Sequence, residues 1–339
     1  MTDLSEQDFW ANRLVLVTGV YGFLAGHLVE RLLAAGSRVV GLFRDRPAES
    51  YLQIERLDDR VTLVPGDITD IRSCSSAVAS HSCSVVFHLA AQSLVGVANR
   101  DPTGTFETNV GGTWKVLDAV RQINETDELV EAVVVASSDK AYGDQPDLPY
   151  SEDSPLLGMY PYDASKACAD LISRTYYNTY DLPVSVTRCG NLFGPGDLNF
   201  SRIVPDTIQA VAAGQDPIIR SDGSPKRDYL YVRDAADGYM ALAAATANGT
   251  TAGRAYNFGT GDPLTVLQLV QTIIDASGKC DIEPDIQGTS WGEIKHQYLE
   301  ASRARQQLGW EPQTPMRRAL SETYQWYEDY LRNRRKPPR

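Results

Sequence analysis

The chain opens with a strand-length apolar run, Leu14–Thr18, that passes through a glycine turn, Gly19 to Gly22, into a helical segment. That segment puts Leu24, Leu28, Leu32 and Leu33 on one face and stops at Gly36. This strand–turn–helix opening constrains the fold most, because the same alternation continues. "RVVGLF", "VTLVPGD", "SVVFHLAA", "EAVVVASS" and "PVSVTR" come next as strand candidates, and helical segments such as "TWKVLDAVRQI" and "SKACADLISRTYYNTY" separate several of them. Strands joined through helices lie parallel in one sheet, so the expected fold is α/β, a doubly wound parallel sheet of the Rossmann type. Such strands are covered on both faces, which accounts for near-continuous Val and Leu runs.

The pattern loosens after "RCGNLFGPGD", where Gly190, Gly194, Pro195 and Gly196 predict a loop. Beyond it, helices such as "IVPDTIQAVAAG" and "LTVLQLVQTIIDASG" mix with short strands. The expectation is a dinucleotide-binding domain over 1–190. Residues 191–339 then form mainly a smaller, interleaved substrate-binding region, with some segments returning to the Rossmann core. The basic, proline-containing end "RNRRKPPR" reads as a frayed terminus.

A chain of 339 residues, 42% hydrophobic and 22% charged, can bury a sizeable core. Its 32 basic and 44 acidic residues leave a net charge of -12, which argues against nucleic acid as a partner. An anionic ligand must then be held by local positive groups and backbone N–H donors. Met1 to Gln7 lack a basic start followed by an apolar run, and no stretch is long and apolar enough to span a bilayer. The five cysteines are scattered, with no CxxC and no metal-ligand spacing. A cytoplasmic protein with no membrane partner and no structural metal is the expectation.

The glycine turn carries the first chemical signal. Gly19 and Gly22 sit between a strand and a helix, where the backbone can approach a pyrophosphate and the helix N-terminus supplies donors. In the pattern T-G-x-x-G-x-x-G the third glycine is Ala25, still small enough for helix–strand packing. At the end of the second strand, Phe43 is followed by Arg44 and Asp45. Arg44 suits a 2′-phosphate and Asp45 a 2′-hydroxyl, so NAD+ and NADP+ both stay open. Asp67 is placed to contact adenine or, alternatively, to cap its own turn.

A second signal is Tyr162 with Lys166, one helical turn apart on a shared face, and Ser138 at the end of an upstream strand. A free tyrosine is too weakly acidic to serve as a base near neutral pH. A neighbouring ammonium and a positively charged cofactor ring favour its phenolate. Ser138 can hydrogen-bond the substrate hydroxyl that Tyr162 deprotonates. Together these residues describe oxidation of an alcohol with a nicotinamide cofactor.

On these residues the chain resembles the extended short-chain dehydrogenase/reductases that act on sugar nucleotides, the 4,6-dehydratase and 4-epimerase group. The resemblance runs through "VTGVYGFLAG", "VVFHLAAQSLV", "TNVGGTWKVLDA", "SSDKAYGD", "YPYDASK", "RCGNLFGPG", "RDYLYVRDAADG", "AYNFGTGD" and "SRARQQLGW". It implies cofactor contacts at Tyr21, Phe23, Leu24, Ile68, Leu89, Ala90, Ala91 and Asn109, beside Gly19, Gly22, Arg44, Asp67, Tyr162 and Lys166. It implies a nucleoside-diphosphate sugar as substrate, with Asn191 and Arg227 at the diphosphate and Arg202 facing the nucleotide. Gln92, Ile203, Val204 and Tyr229 complete the implied substrate contacts. It also implies a homodimer built from 113–123 and 165–180 of each subunit.

Asp139–Lys140, directly after Ser138, narrows the choice. The 4-epimerases carry small or neutral residues there, the dTDP-glucose 4,6-dehydratases Asp-Glu, and the CDP-glucose 4,6-dehydratases, which this chain resembles more, Ser-Asp-Lys. "YGDQPDLPYSED" is instead similar to UDP-galactose 4-epimerases, and Ala98 and "SPKRDYLYV" depart from the CDP-glucose pattern. The leading expectation is a dehydratase with a tightly bound cofactor regenerated in each turnover. Tyr162 takes the C4 hydroxyl proton, neutral Lys140 takes the C5 proton, and Asp139 protonates the departing C6 hydroxyl. A 4-epimerase needs Ser138, Tyr162 and Lys166 alone. A non-catalytic dinucleotide sensor would need no activated tyrosine, and Asp139–Lys140 could also be a plain loop ion pair.

Overall fold

A computed structural model describes residues 8–127, 129–289 and 294–334. Met1–Gln7 and the end of the basic tail, 335–339, lie outside the described residues. Arg332–Arg334 are not frayed: they complete the last helix.

Seven strands form one sheet: β1 (Leu14–Thr18), β2 (Arg38–Phe43), β3 (Thr62–Pro65), β4 (Val85–His88), β5 (Ala132–Ala136), β6 (Val184–Cys189) and β7 (Ala255–Phe258). Their order is β7-β6-β5-β4-β1-β2-β3, and every neighbouring pair is parallel. The doubly wound Rossmann sheet expected from the alternating pattern is therefore present. Alternate side chains serve opposite faces. Val15 and Val17 join Phe87, Val134 and Tyr256 beneath α1 (Phe23–Ala34). Leu16 joins Val86, Val133 and Val186 beneath α2 (Ile71–Ala79) and α3 (Gly112–Asp127). The order reverses between β1 and β4, and the crevice beyond the strand ends at that point is where such sheets take ligands.

The long helix α4 (Pro161–Tyr180) starts beside the end of β5. The run after Cys189 is not wholly a loop. Asn191–Phe193 forms a strand paired in parallel with Tyr229–Tyr231. The turn after it still needs glycine, since Gly196 has φ +82° and an added Cβ would lie 2.4 Å from the Tyr51 ring. Helices α5 (Ile203–Ala212), α7 (Val266–Ser277) and α8 (Met316–Arg334) enclose a separate core around Phe193, Tyr229 and Tyr231. Between α5 and α7, α6 (Val232–Ala247) returns to the sheet and shares the core of α1 through Ala235, Tyr239 and Leu242. A small sheet places Lys226–Arg227 between Leu264–Thr265 and His296–Gln297.

Candidate active site

The glycine turn lies at the reversal point. Gly19 has φ +68°, and a Cβ there would stand 2.8 Å from the Ala90 Cα, so the loop after β4 packs on bare backbone. Gly22 precedes α1 with no side chain capping it, and the first turn of α1 holds no acidic residue. The N–H groups of Phe23 and Leu24 therefore open onto the crevice with the positive end of the helix dipole. That donor set fits a pyrophosphate, so Gly19, Tyr21, Gly22, Phe23 and Leu24 stand where a dinucleotide could be held.

The loop after β4 is held by a chain of hydrogen bonds. Thr113 Oγ1 donates to the Asn109 carbonyl (2.6 Å) and so accepts from His88 Nε2 (3.1 Å). Nδ1 of His88 then accepts from Thr18 Oγ1 (3.0 Å), and that oxygen takes the N–H groups of Leu89 and Ala90 (each 3.1 Å). Burial, helped by the Lys166 charge, pushes His88 down to about 3, so this neutral tautomer persists at working pH. Sequence reasoning missed Thr18 and His88; a strand ending in His before "LAA" is the signal that was available. Asn109 is a clamp rather than an open donor. It accepts from Gln92 N (2.7 Å) and donates to Gln92 O and Ser165 Oγ (each 2.9 Å).

At the rim, Asp67 Oδ1 accepts from the N–H and the hydroxyl of Thr69, at 2.8 and 2.9 Å, and so caps its own turn. Ile68 is buried against Gly112, and Ala91 follows Ala90 at the crevice. Arg44 pairs with Asp45 at 2.7 Å on the surface at the end of β2, so one guanidinium and one carboxylate occupy the place that distinguishes NADP from NAD.

Ser138, Tyr162 and Lys166 come together. Lys166 is buried and donates to the Ala136 carbonyl at the end of β5 (2.8 Å), while Ser137 Oγ donates to the Lys166 carbonyl (3.0 Å). These two bonds fix α4 against the sheet. Burial pushes the Lys166 ammonium down to about 8. Burial also pushes the Tyr162 phenol up to about 12, with the Ser138 hydroxyl and the Arg202 charge pulling it back. At that value the phenol stays protonated near neutral pH. Further positive charge is needed at the ring, as a nicotinamide would supply.

Asp139–Lys140 is not a surface ion pair, because Asp139 is buried. Ser138 caps the short turn Asp139–Tyr142, its Oγ taking the Lys140 N–H (3.2 Å) and donating to Asp139 Oδ1 (3.1 Å). Asp139 Oδ2 has no hydrogen-bond partner and lies 3.7 Å from Lys140 Nζ. Two residues missed at the sequence level surround the pair. Asp163, next to Tyr162, is raised to about 6 by burial, opposed by the Lys140 charge and helped by that of Asp139. Gln297, fully buried, bonds both members of the pair. Asp163 was hidden by its place between two more obvious residues, and Gln297 by its distance along the chain.

The expected substrate residues line up less directly. Asn191 is tied to Asp228, its N–H donating to that carbonyl at 2.8 Å. Arg202 precedes α5 and pairs with Asp197 (3.1 Å), yet its charge reaches Tyr162. Ile203 and Val204 begin α5, with the Val204 side chain in the core, leaving backbone as what that end could offer. Tyr229 is buried in the same core. The Arg227 guanidinium donates to the carbonyls of Lys226 (2.8 Å), Lys295 (3.1 Å) and Ile294 and so braces the chain. Among the described residues there is no cluster able to hold a metal ion and no helix long and apolar enough to cross a membrane.

Comparison with known proteins identifies the family. The chain is 31% identical to the CDP-glucose 4,6-dehydratase of Salmonella typhimurium, over 96% of this chain and 94% of that one. It is 33% identical to the UDP-glucose 4-epimerase of Mycolicibacterium smegmatis, over 93% and 98%. The crystal structure of dTDP-glucose 4,6-dehydratase from Bacillus anthracis in complex with NAD superposes with a TM-score of 0.80 at 27% identity, covering 94% of this chain and 97% of that one. The sequence pattern of the GDP-mannose 4,6 dehydratase family matches residues 16–323, and the chain is a member of that family, an enzyme of the sugar-nucleotide dehydratase and epimerase group within the extended short-chain dehydrogenase/reductases.

Proposed function

We propose that the protein is an NAD(P)-dependent nucleoside-diphosphate-hexose 4,6-dehydratase, with a CDP-hexose as the favoured substrate. The observation that carries this reading is the buried Asp139 paired with a part-buried Lys140 beside Ser138 and Tyr162, with Asp139 Oδ2 lacking a hydrogen-bond partner. An epimerase has no proton to move there. A bound nicotinamide supplies hydride acceptance from C4 and return to C6. Tyr162 takes the C4 hydroxyl proton, with Ser138 holding that hydroxyl. The ketone at C4 acidifies C5, and neutral Lys140 removes its proton. Asp139 gives a proton to the C6 oxygen, which leaves as water. Lys140 then returns a proton to C5, and the product is the 4-keto-6-deoxy sugar.

Arg202, at the start of α5, is the cation proposed to face the nucleotide, with Asn191 and Arg227 at the diphosphate. A homodimer through α3 and α4 is part of the proposal, supported by the exposure of Trp114, Leu171 and Tyr180 on those helices. The 4-epimerase reading is supported by the 33% identity to an epimerase and by the "YGDQPDLPYSED" stretch. Incubation with CDP-, dTDP-, UDP- and GDP-glucose in deuterated water separates the two. A product lighter by one water with deuterium at C5 is expected. An isobaric stereoisomer with no label at C5 would replace the dehydratase by the epimerase.

A further inference from the structure

The residue that ties Asp139 and Lys140 together comes from the far end of the chain. Gln297 is fully buried, on the two-residue strand His296–Gln297. Its Nε2 donates to the Asp139 carbonyl (2.9 Å), and its Oε1 accepts from Lys140 Nζ. The orientation of this amide is dictated by its partners, because a carbonyl can only accept and an ammonium can only donate. One side chain therefore satisfies both ends of the turn. The groups facing Lys140 are then Gln297 on one side and the carboxylates of Asp139 and Asp163 on the others.

The strand that carries Gln297 is itself anchored. It pairs in parallel with Lys226–Arg227, with Gln297 opposite Arg227, and the Asp228 N–H donates to the Gln297 carbonyl at 3.3 Å. Arg227 grips the carbonyls of Ile294 and Lys295 just before it. A guanidinium, a strand register and an amide thus run in series from the C-terminal region to the acid–base pair.

We infer that Gln297 is the positioning residue of the acid–base pair: it fixes the Lys140 amine, and the turn that carries Asp139, at the place where the C5 proton and the C6 hydroxyl must be handled. Its two side-chain bonds go to Lys140 and to the Asp139 carbonyl, so it acts through them. The inference rests on the dehydratase reading for its chemical meaning, but its geometric content holds without it.

Two variants test it in the full-length protein. Gln297→Met keeps the length of the side chain and removes both hydrogen bonds. Gln297→Glu keeps an acceptor for Lys140 but turns a second acceptor toward the Asp139 carbonyl. In Gln297→Met, water elimination should slow by roughly 10–100-fold, the scale of a lost hydrogen bond to a charged group. KM and the rate of C4 oxidation should stay near the parent, so enzyme-bound reduced cofactor accumulates in a single turnover. Gln297→Glu should slow elimination as well and move its pH dependence upward, because a carboxylate beside the amine favours the protonated Lys140. A readout independent of turnover is acylation of Lys140 by an amine-reactive ester, measured by peptide mass spectrometry relative to the exposed Lys226. Release from Gln297 should raise it several-fold in Gln297→Met. Unchanged acylation overturns the inference whatever reaction the enzyme performs. So does an equal loss of oxidation and elimination together with a lowered melting temperature, which marks a structural role. A parent enzyme that shows no C5 exchange defeats the dehydratase reading instead, and the acylation result still decides the role of Gln297.

Discussion

The two sides of the candidate site are built differently. Tyr162 and Lys166 lie on one helix, and Lys166 reaches only the carbonyl of Ala136 at the end of the adjacent strand. Asp139 and Lys140 lie on a turn whose support arrives from Gln297, on a strand of another sheet. The first side is held within one helix and by the bonds of that helix to the end of β5 and to Asn109. The second depends on a long-range tie and is where relatives with the same sheet can differ in chemistry. The proposed oxidation half of the site thus rests on short-range geometry, and the proposed elimination half on a residue far along the chain.

The largest effect should come from breaking the shared side. Tyr162→Phe keeps the ring but removes the ionisable hydroxyl. Oxidation at C4 should fall by at least about 10²–10⁴-fold, the usual worth of a positioned general base. Stopped-flow absorbance of the bound cofactor checks this, with substrate affinity measured in parallel. Turnover at the parent rate would end the alcohol-oxidation reading.

The turn side should fail differently. Lys140→Met and Asp139→Asn should each slow water elimination by about 10²–10⁴-fold while leaving C4 oxidation close to the parent. Solvent deuterium incorporation at C5 should fall most in Lys140→Met. If both variants lose oxidation as well, the two sides act as one unit and the contrast between them is broken.

The smallest effect concerns Asp163, which belongs to both sides. Its carboxyl is raised to about 6 in the folded chain by burial, against an ordinary value near 4. A raised carboxyl contributes stability fully present below about pH 4 and lost as pH rises through about 6. Asp163→Asn should therefore be more stable than the parent at pH 7.5, by about 1–2 kcal/mol, with the advantage gone at pH 4. Thermal melts at the two pH values check this. An equal shift at both would mean that packing, not ionisation, sets the difference.

Much of this architecture was legible in advance because it rests on local periodicity. The runs from Leu14–Thr18 to Val184–Cys189 read as strands because buried parallel strands require unbroken Val and Leu. Ala255–Phe258 went unread as the seventh strand: four residues with an Asn among them carry no periodic signal. A return of some segment of 191–339 to the Rossmann core was expected, but Val232–Ala247 was not singled out, since small alanines mark a close helix–sheet contact only once the partner is known. In the site, Tyr162, Lys166 and Ser138 were visible through spacing. The bracing bonds of Arg227 to main-chain carbonyls were not visible, because a sequence cannot show which carbonyls a guanidinium meets. Gln297 was invisible because nothing local distinguishes an amide that bonds a residue so far away.

The seventh strand has a consequence for how the molecule is made. Its partner β6 is complete by Cys189, but the residue that pairs with Val186 is Ala255. During synthesis the edge of β6 therefore waits, unpaired and rich in valine, while about seventy more residues leave the ribosome. An open edge of that kind templates other chains. The partly made enzyme is most exposed to aggregation in that interval, and a chaperone that covers sheet edges would matter more to its yield than one that shelters helices.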